Sequence, residues 1–400
     1  MKKIFFLGLI AAMAAFTACK DDEVAKKYQV TVSVTSENVS IDNISTLEAV
    51  AVSDAGKKTT AEVLDAKAVF NLVAGSYTIT VTGSDAAYNY VGSTKCVVVD
   101  QDVDDLTIAL TQSKPNGSII FKEIYSTGTL GFYWADGFYE LVNNSDQTQY
   151  LDGTILGIVQ CGYGRVSSWA DSTGVLPDYY PMSNHTVFFP GGGTDYPLEP
   201  GQNIVVATRA INHSARELGD GDVASPVDLS NADWEIYIKG SAQDTDNPDV
   251  PNLEVAYSQF GFDFMPAVSG QSLILAKLPE GLTMDAFLAD TLSVKKPEGI
   301  YTAALCIPAE YVIDAVDIIY YNEEHNINKT ILDTDDAGYT YYSGSDDEWT
   351  DPMYSRRSLR RKCTSVENGR AYFMDTNNSS NDFILGGQAV VVRRTFTEPD

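Results

Sequence analysis

The chain has 400 residues, 44% of them apolar, and carries 27 basic against 55 acidic side chains, a formal net charge of -28. A surface of that sign repels nucleic acid and anionic lipid, which excludes DNA or RNA as a partner. The apolar fraction, with 30 glycines and 23 tyrosines, describes a globular chain long enough for two or three domains.

The first residues have the form of a signal peptide: Lys2 and Lys3, the apolar run Ile4 to Phe16, then small residues leading to Cys19. A cysteine directly behind such a segment is what a lipoprotein signal peptidase requires. Its thiol would be diacylated, cleavage would leave Cys19 as the first residue, and the acyl chains would hold the protein on a membrane without spanning it. The apolar run is too short for a permanent transmembrane helix. Lys20-Asp21-Asp22-Glu23 resembles the surface-export signal of Bacteroidota-type lipoproteins, which implies the outer membrane, lipid-anchored and facing the exterior. Residues 1–18 are then the signal and 19–27 an acylated tether, reaching ~30 Å at full extension and keeping binding loops near the membrane.

From 28 to 112 the pattern is that of strands. Tyr28-Gln29-Val30-Thr31-Val32-Ser33-Val34 alternates with period two, and similar runs recur at Ala49–Val52, Ala68–Leu72, Ser76–Thr82, Lys95–Val99 and Leu106–Leu110. Strands at this spacing without helices between them predict a small β-sandwich. The stretch Phe70 to Val81, with Ala74-Gly75-Ser76-Tyr77 at its turn, resembles carboxypeptidase-regulatory-like and prealbumin-like modules, which act as spacers.

Residues 113–116, inside the polar run Gln112 to Gly117, read as a linker, and residues 117–400 as a second domain. Its opening, Ile119-Ile120-Phe121-Lys122-Glu123-Ile124-Tyr125 and then Phe138-Tyr139-Glu140-Leu141-Val142-Asn143, resembles a lamin-tail domain. The turns Leu151-Asp152-Gly153 and Leu198-Glu199-Pro200-Gly201 and the strands Ala315–Ile319 and Ser358–Arg361 extend the likeness. It implies an all-β fold of two immunoglobulin-like sandwiches, the second enlarged by insertions at 153–197, 208–252 and 276–312. A short helix is expected behind a Thr283 cap. The whole arrangement resembles a group of uncharacterised Bacteroidota surface lipoproteins that accompany TonB-dependent nutrient receptors.

No catalytic set is recognisable. His185, His213 and His325 stand far apart, outside metal-ligand spacings, and exposed loops are their expected place. A two-carboxylate hydrolase needs only acids, but 55 candidates name no pair. Cys96, Cys161, Cys306 and Cys363 form no C-x-x-C motif; they are expected as buried thiols, with up to two disulfides the alternative. No cofactor is indicated. Asp333, Asp335 and Asp336 form a weak Ca2+ candidate that departs from the EF-hand pattern, and Asp244 to Asp249 is a second acidic loop, both expected as solvated turns.

Binding residues are better marked. Phe132, Tyr133, Trp134, Trp169, Tyr179, Tyr180, Phe188, Phe189, Tyr341 and Tyr342 fall between the expected strands, where they would meet a ligand or partner or else pack over the sandwich ends. Arg356, Arg357, Arg360 and Arg361 form a cationic run suited to an anionic partner, or to pairing with Asp346, Asp347, Glu348 and Asp351. Asp171-Ser172-Thr173 and Asp290-Thr291-Leu292 resemble Bacteroidota O-glycosylation signals, with Ser172 and Thr291 as acceptors. The expected function is a non-enzymatic binding or docking accessory to TonB-dependent uptake. Glycan adhesion through the aromatic loops is the alternative.

Overall fold

Val30, Val32 and Val34 turn to one face of their strand and are buried, while their neighbours stay partly or fully exposed. The computed structural model describes residues 26–36, 39–44, 46–53, 57–84, 89–98, 101–113, 118–160, 167–260, 262–321, 328–346 and 348–400. The expected signal peptide, Cys19, the expected export residues Lys20, Asp21, Asp22 and Glu23, and also the linker residues 114–116, Cys161, His325 and Asp347, lie outside the described residues.

The small module is built of β1 (Lys27–Ser36), β2 (Thr46–Ser53), β3 (Lys58–Leu64), β4 (Lys67–Val73), β5 (Gly75–Ser84), β6 (Asn89–Val98) and β7 (Val103–Ser113). The strand order β1-β4-β3-β2-β5-β6-β7 closes on itself, because β1 pairs antiparallel with β4 and parallel with β7. The expected sandwich is therefore joined at its edges into a barrel, which leaves no open edge strand. Ala68, Phe70 and Leu72 of β4 and Ile79 and Val81 of β5 fill it with the β1 valines. The unforeseen strand is β3, Lys-Thr-Thr-Ala-Glu-Val-Leu, which buries no residue fully and so carries no apolar stripe.

The second domain continues with β8 (Ile119–Tyr125), β9 (Phe138–Asn143), β10 (Gln149–Tyr150), β11 (Thr154–Val159), β12 (Tyr179–Phe188), β13 (Pro197–Leu198), β14 (Asn203–Ala207), β15 (Trp234–Glu235) and β16 (Glu254–Ser258). Then come β17 (Leu273–Lys277), α1 (Met284–Ala289), β18 (Val294–Lys295), β19 (Ala304–Pro308), β20 (Val312–Val316), β21 (Arg357–Arg360), β22 (Cys363–Glu367), β23 (Arg370–Phe373), α2 (Ser379–Asp382) and β24 (Gln388–Ala389). One sheet has the order β18-β19-β12-β11-β17-β20 with β16 also on β12, the other β15-β14-β9-β8-β21-β24. Phe121, Tyr139, Leu156, Ile158, Val206 and Leu275 meet between them in the sandwich core.

Every residue of β8, β9 and β11 is buried, which alternation alone does not give. The reason is that both sheets are covered on their outer faces as well, and a strand covered on both faces becomes continuously apolar. Helix α1 packs Phe287 on the outer face of the first sheet, in a cluster with Leu305 and Ile307 of β19. Segment 208–252 packs Val227, Leu229 and Val250 on the outside of the second. Segment 208–252 covers framework and 276–312 supplies β18 and β19 at an edge of the first sheet as well as α1, whereas 153–197 supplies β11 and β12, central strands of that sheet. Thr283 Oγ1 accepts from Ala286 N at 3.2 Å, capping α1.

Cys96, Cys306 and Cys363 are buried free thiols in three different clusters.

Candidate functional site

Strand direction decides which loops meet. Tyr125 at the end of β8 lies opposite Phe138 at the start of β9 and Ser358 in β21, and Ala207 ends β14 beside Phe138. In the other sheet, Ile158 near the end of β11 lies opposite Leu273 at the start of β17, which faces Val316 at the end of β20. The sheets join here, since Tyr342 Oη donates to Ile124 O at 3.1 Å and Ser126 Oγ donates to Ala267 O at 3.4 Å. The described residues of loops 126–137, 160–178, 208–233, 259–272 and 317–356 therefore share one end of the sandwich. Ile119 begins β8 at the other end, that of the linker in sequence.

At the tip of this face a miniature hairpin displays Leu130-Gly131-Phe132. Thr129 N donates to Tyr133 O at 2.8 Å and Tyr133 N to Thr129 O at 3.2 Å. Phe132 is 82% exposed and makes a T-shaped contact with Tyr354, with ring centroids 5.5 Å apart. Phe132, Tyr354 and Arg356 have φ of +55°, +62° and +61°, a left-handed conformation that costs side-chain-bearing residues about 1–2 kcal/mol each. Gly131 is obligatory beside them: at φ +97° its added Cβ would lie 2.2 Å from Asp222 Oδ1. Leu218 and Phe262 are exposed on neighbouring loops.

A polar layer supports the tip. Tyr133 Oη donates to His213 Nδ1 at 2.5 Å, and His213 Nε2 donates to Arg209 O at 2.9 Å, which fixes one neutral tautomer. Burial of this imidazole pushes its pKa down to about 4. The Arg216 guanidinium lies 4.5 Å over the Tyr133 ring and pairs with Asp222 at 3.0 Å. Arg209 is held between Asp263 at 2.6 Å and Asp244 at 3.4 Å.

A second aromatic group stands on loop 317–356. Tyr321 and Tyr341 stack at 4.7 Å with 27° between planes, and Trp349 sits edge-on to Tyr320 and Tyr321 at 6.0 and 6.5 Å. These rings are half-buried. Burial raises the phenol pKa values of Tyr339 and Tyr341, with Tyr321 adding to both. The exposed carboxylates of Glu348 and Asp351 flank the group in sequence. Sequence reading missed Tyr320, Tyr321 and Trp349 because they meet only through the fold.

Of the aromatic residues marked in the sequence, Phe132, Tyr133, Trp134 and Tyr341 reach this face, and others do not. Phe189 is wholly in the sandwich core against Trp234, and Tyr342 is buried there too. Tyr180 is buried with its hydroxyl on Asp335 Oδ2 at 2.5 Å. Trp169 packs on Ile300 and Cys306 and donates to Gln160 Oε1 at 2.9 Å. Phe188 packs on the outer cluster of the first sheet, and Tyr179 lies under Lys295, 3.5 Å from the ring. The covering segments bring walls where a simple sandwich would have solvent.

The cationic run is likewise dispersed. Arg361 is fully buried, its Nη2 on Asp314 at 2.9 and 3.0 Å and its Nη1 on Asp375 at 3.3 Å and Asp382 at 3.5 Å. Burial alone would lower its pKa, but the three carboxylates outweigh this and raise it. Arg357 pairs with Asp346, Arg360 with Asp400, and Arg356 alone of the four is exposed. No shared anion site remains.

The three candidate calcium ligands diverge in the same way: Asp333 pairs with Lys329, Asp335 holds Tyr180, and Asp336 turns inward to Asp317 N and Ser379. Among the described residues no group of His, Cys, Asp and Glu is placed to hold a metal ion. Burial, with Asp317 adding, pushes the Asp336 pKa up to about 7. In the second acidic loop, Asp244 caps Ile238 N at 2.8 Å and pairs with Arg209 rather than standing in solvent.

His185 and His213 are fully buried rather than on exposed loops; His185 Nε2 donates to Phe262 O at 2.6 Å and its Nδ1 accepts from Ser258 Oγ at 2.8 Å. Ser172 and Thr291 are both exposed.

The family model described as "Protein of unknown function (DUF4876)" matches residues 199–390. Among solved structures, the crystal structure of a DUF4876 family protein from Bacteroides thetaiotaomicron VPI-5482 is 26% identical, with a TM-score of 0.59, over 92% of this chain and 97% of that one. No curated protein matches the chain. The chain is thus similar, along nearly its whole length, to a Bacteroides protein of a family of unknown function.

Proposed function

We propose that the protein is a surface-exposed, lipid-anchored outer-membrane protein without catalytic activity, whose lamin-tail-like sandwich presents its loop end to a ligand or to an outer-membrane receptor. Its task on this reading is to serve as an accessory to TonB-dependent nutrient uptake. The observation that carries the proposal is the convergence of strained, solvent-facing Phe132 and the Tyr321–Tyr341–Trp349 group on the end of the sandwich remote from the linker. Aromatic side chains held half-open on a rigid β framework are suited to recognition, since they offer large area at small entropic cost.

Strand β8 has seven residues, so this face stands about 23 Å along the strand from the point where β8 begins. The reach of the acylated tether alone therefore does not set the height of the face. Its natural targets are groups projecting outward from the cell, such as the extracellular loops of a receptor.

The test is capture from membranes cross-linked in living cells. The wild-type chain should recover a TonB-dependent receptor, and Phe132→Asp should recover less than a tenth as much while remaining folded and on the surface. Capture of no transporter by the wild type would sink the proposal. Cys19→Ala should shift the protein from the membrane to the soluble fraction with its fold intact.

A further inference from the structure

We infer that the rings of Tyr321, Tyr341 and Trp349 form a stacking platform for neutral carbohydrate, an inference that rests on the reading of the loop end as a ligand-binding face. Three features select this ligand class over a general apolar surface.

The first is ring chemistry. The patch is made of tyrosine and tryptophan rather than aliphatic side chains: Tyr321 and Tyr341 lie nearly parallel, 27° apart, and Trp349 stands across them at 75° to Tyr321. A pyranose has an apolar face of C–H groups and a rim of hydroxyls, and it matches an aromatic face with polar groups at its edge. Stacking of Tyr321 on Tyr341 uses one face of each ring, and both rings stay partly exposed.

The second is the unmade hydrogen bond. The Trp349 indole Nε1–H has no acceptor among the described residues, although it is sheltered from solvent. Indole donors in such positions normally find a partner. The phenols of Tyr339 and Tyr341 lie close to Tyr321, which gathers further donors and acceptors near the same rings.

The third is charge. Asp346, Glu348 and Asp351 are exposed and flank Trp349 in sequence, and Arg357 is already paired with Asp346. The carboxylates can accept hydrogen bonds from sugar hydroxyls, whereas uronates, sulfates and phosphates would meet like charge. The ligand is therefore neutral, in contrast to the anionic partner that the arginine run suggested.

The probe is a panel of neutral polysaccharides (β-glucan, mannan, xyloglucan and galactan) run beside pectin and chondroitin sulfate in affinity gel electrophoresis. At least one neutral polymer should retard the wild type and the anionic ones should not. Tyr341→Ala and Trp349→Ala should each weaken binding by about tenfold. Tyr341→Phe, which keeps the ring, should retain most of it, and so should Tyr301→Ala, a control at a 95% exposed ring outside the group. Unchanged thermal unfolding separates loss of binding from loss of fold.

No retardation by any neutral polymer, or equal retardation by pectin, would overturn the inference. Because receptor capture through Phe132 is measured separately, a chain that recovers a transporter but binds no polysaccharide would refute the platform alone. A chain that binds mannan and recovers no transporter would uphold the platform and refute the uptake role.

Discussion

The two ends of the enlarged sandwich handle polar and aromatic side chains in opposite ways. Toward the linker, Arg361 is buried among Asp314, Asp375 and Asp382, with Nε donating to Phe121 O at 2.7 Å and Nη1 to Met374 O at 3.1 Å. At the loop end Phe132 stands in solvent on strained backbone, and the Trp349 N–H has no acceptor among the described residues. A buried ion cluster with its donors used fixes one geometry and offers nothing to a ligand. An aromatic face left half-open adds little to folding and is free to bind. The difference teaches that Arg357, Arg360 and Arg361 of the conspicuous arginine run are tied into the framework, whereas the exposed and half-buried rings of the loop end come from scattered stretches of the sequence.

The largest effect expected from this contrast is at Arg361. Replacement by Met leaves three buried carboxylates without their cation, and the sandwich should lose about 3–5 kcal/mol. Urea denaturation followed by Trp fluorescence measures it; a loss below about 1 kcal/mol would show that the cluster is not structural. Phe189→Ala comes next, at about 3–5 kcal/mol by the same measurement, because a wholly buried ring against Trp234 is removed and a cavity remains. Phe132→Ala removes a ring of the same kind and should stay within about 0.5 kcal/mol of wild type. If these two phenylalanines gave equal losses, the distinction between the ends would fail.

A smaller effect is tied to pH. His213 is held neutral in the folded state, with its pKa at about 4 against 6.5 for the free side chain. Between those values the unfolded chain binds more protons than the folded one. Stability contributed by this site is thus full above pH 6.5 and falls as pH drops toward 4, by on the order of 1 kcal/mol per unit. His213→Gln should flatten the slope between pH 6.5 and 5, whatever it does to stability at pH 7. An unchanged slope would mean that His213 charges without disturbing Tyr133.

Legibility followed physical cause. Val30, Val32 and Val34 announced β1 because one face of that strand is wet, and Thr283 announced α1 because the first turn of a helix needs an acceptor. Strand β3 gave no such signal, being polar along its length, and the central position of β11 and β12 was hidden by the length of the loop between them. For the aromatic residues the failure is more instructive. Trp169, Tyr180, Phe189 and Tyr342 were indistinguishable in sequence from Phe132 and Tyr341, because only the outer layers formed by 208–252 and 276–312 and the inward turn of each loop decide which ring sees water. Tyr321 and Trp349, far apart in sequence, meet only in the fold.

The sharpest prediction is the smallest in energy. Phe132 occupies φ +55° with its side chain in solvent, so the fold gains almost nothing from the ring and bears the strain of its Cβ. Phe132→Gly removes that strain, while the greater freedom of glycine in the unfolded chain offsets part of the gain. The expected outcome is a protein more stable by up to about 1 kcal/mol in urea denaturation, and at the same time deficient in receptor capture. Stability and function moving in opposite directions at one residue is the signature of a side chain retained for contact with something else. If Phe132→Gly lost stability instead, the hairpin tip would belong to the framework, and the loop end would resemble the Arg361 end after all.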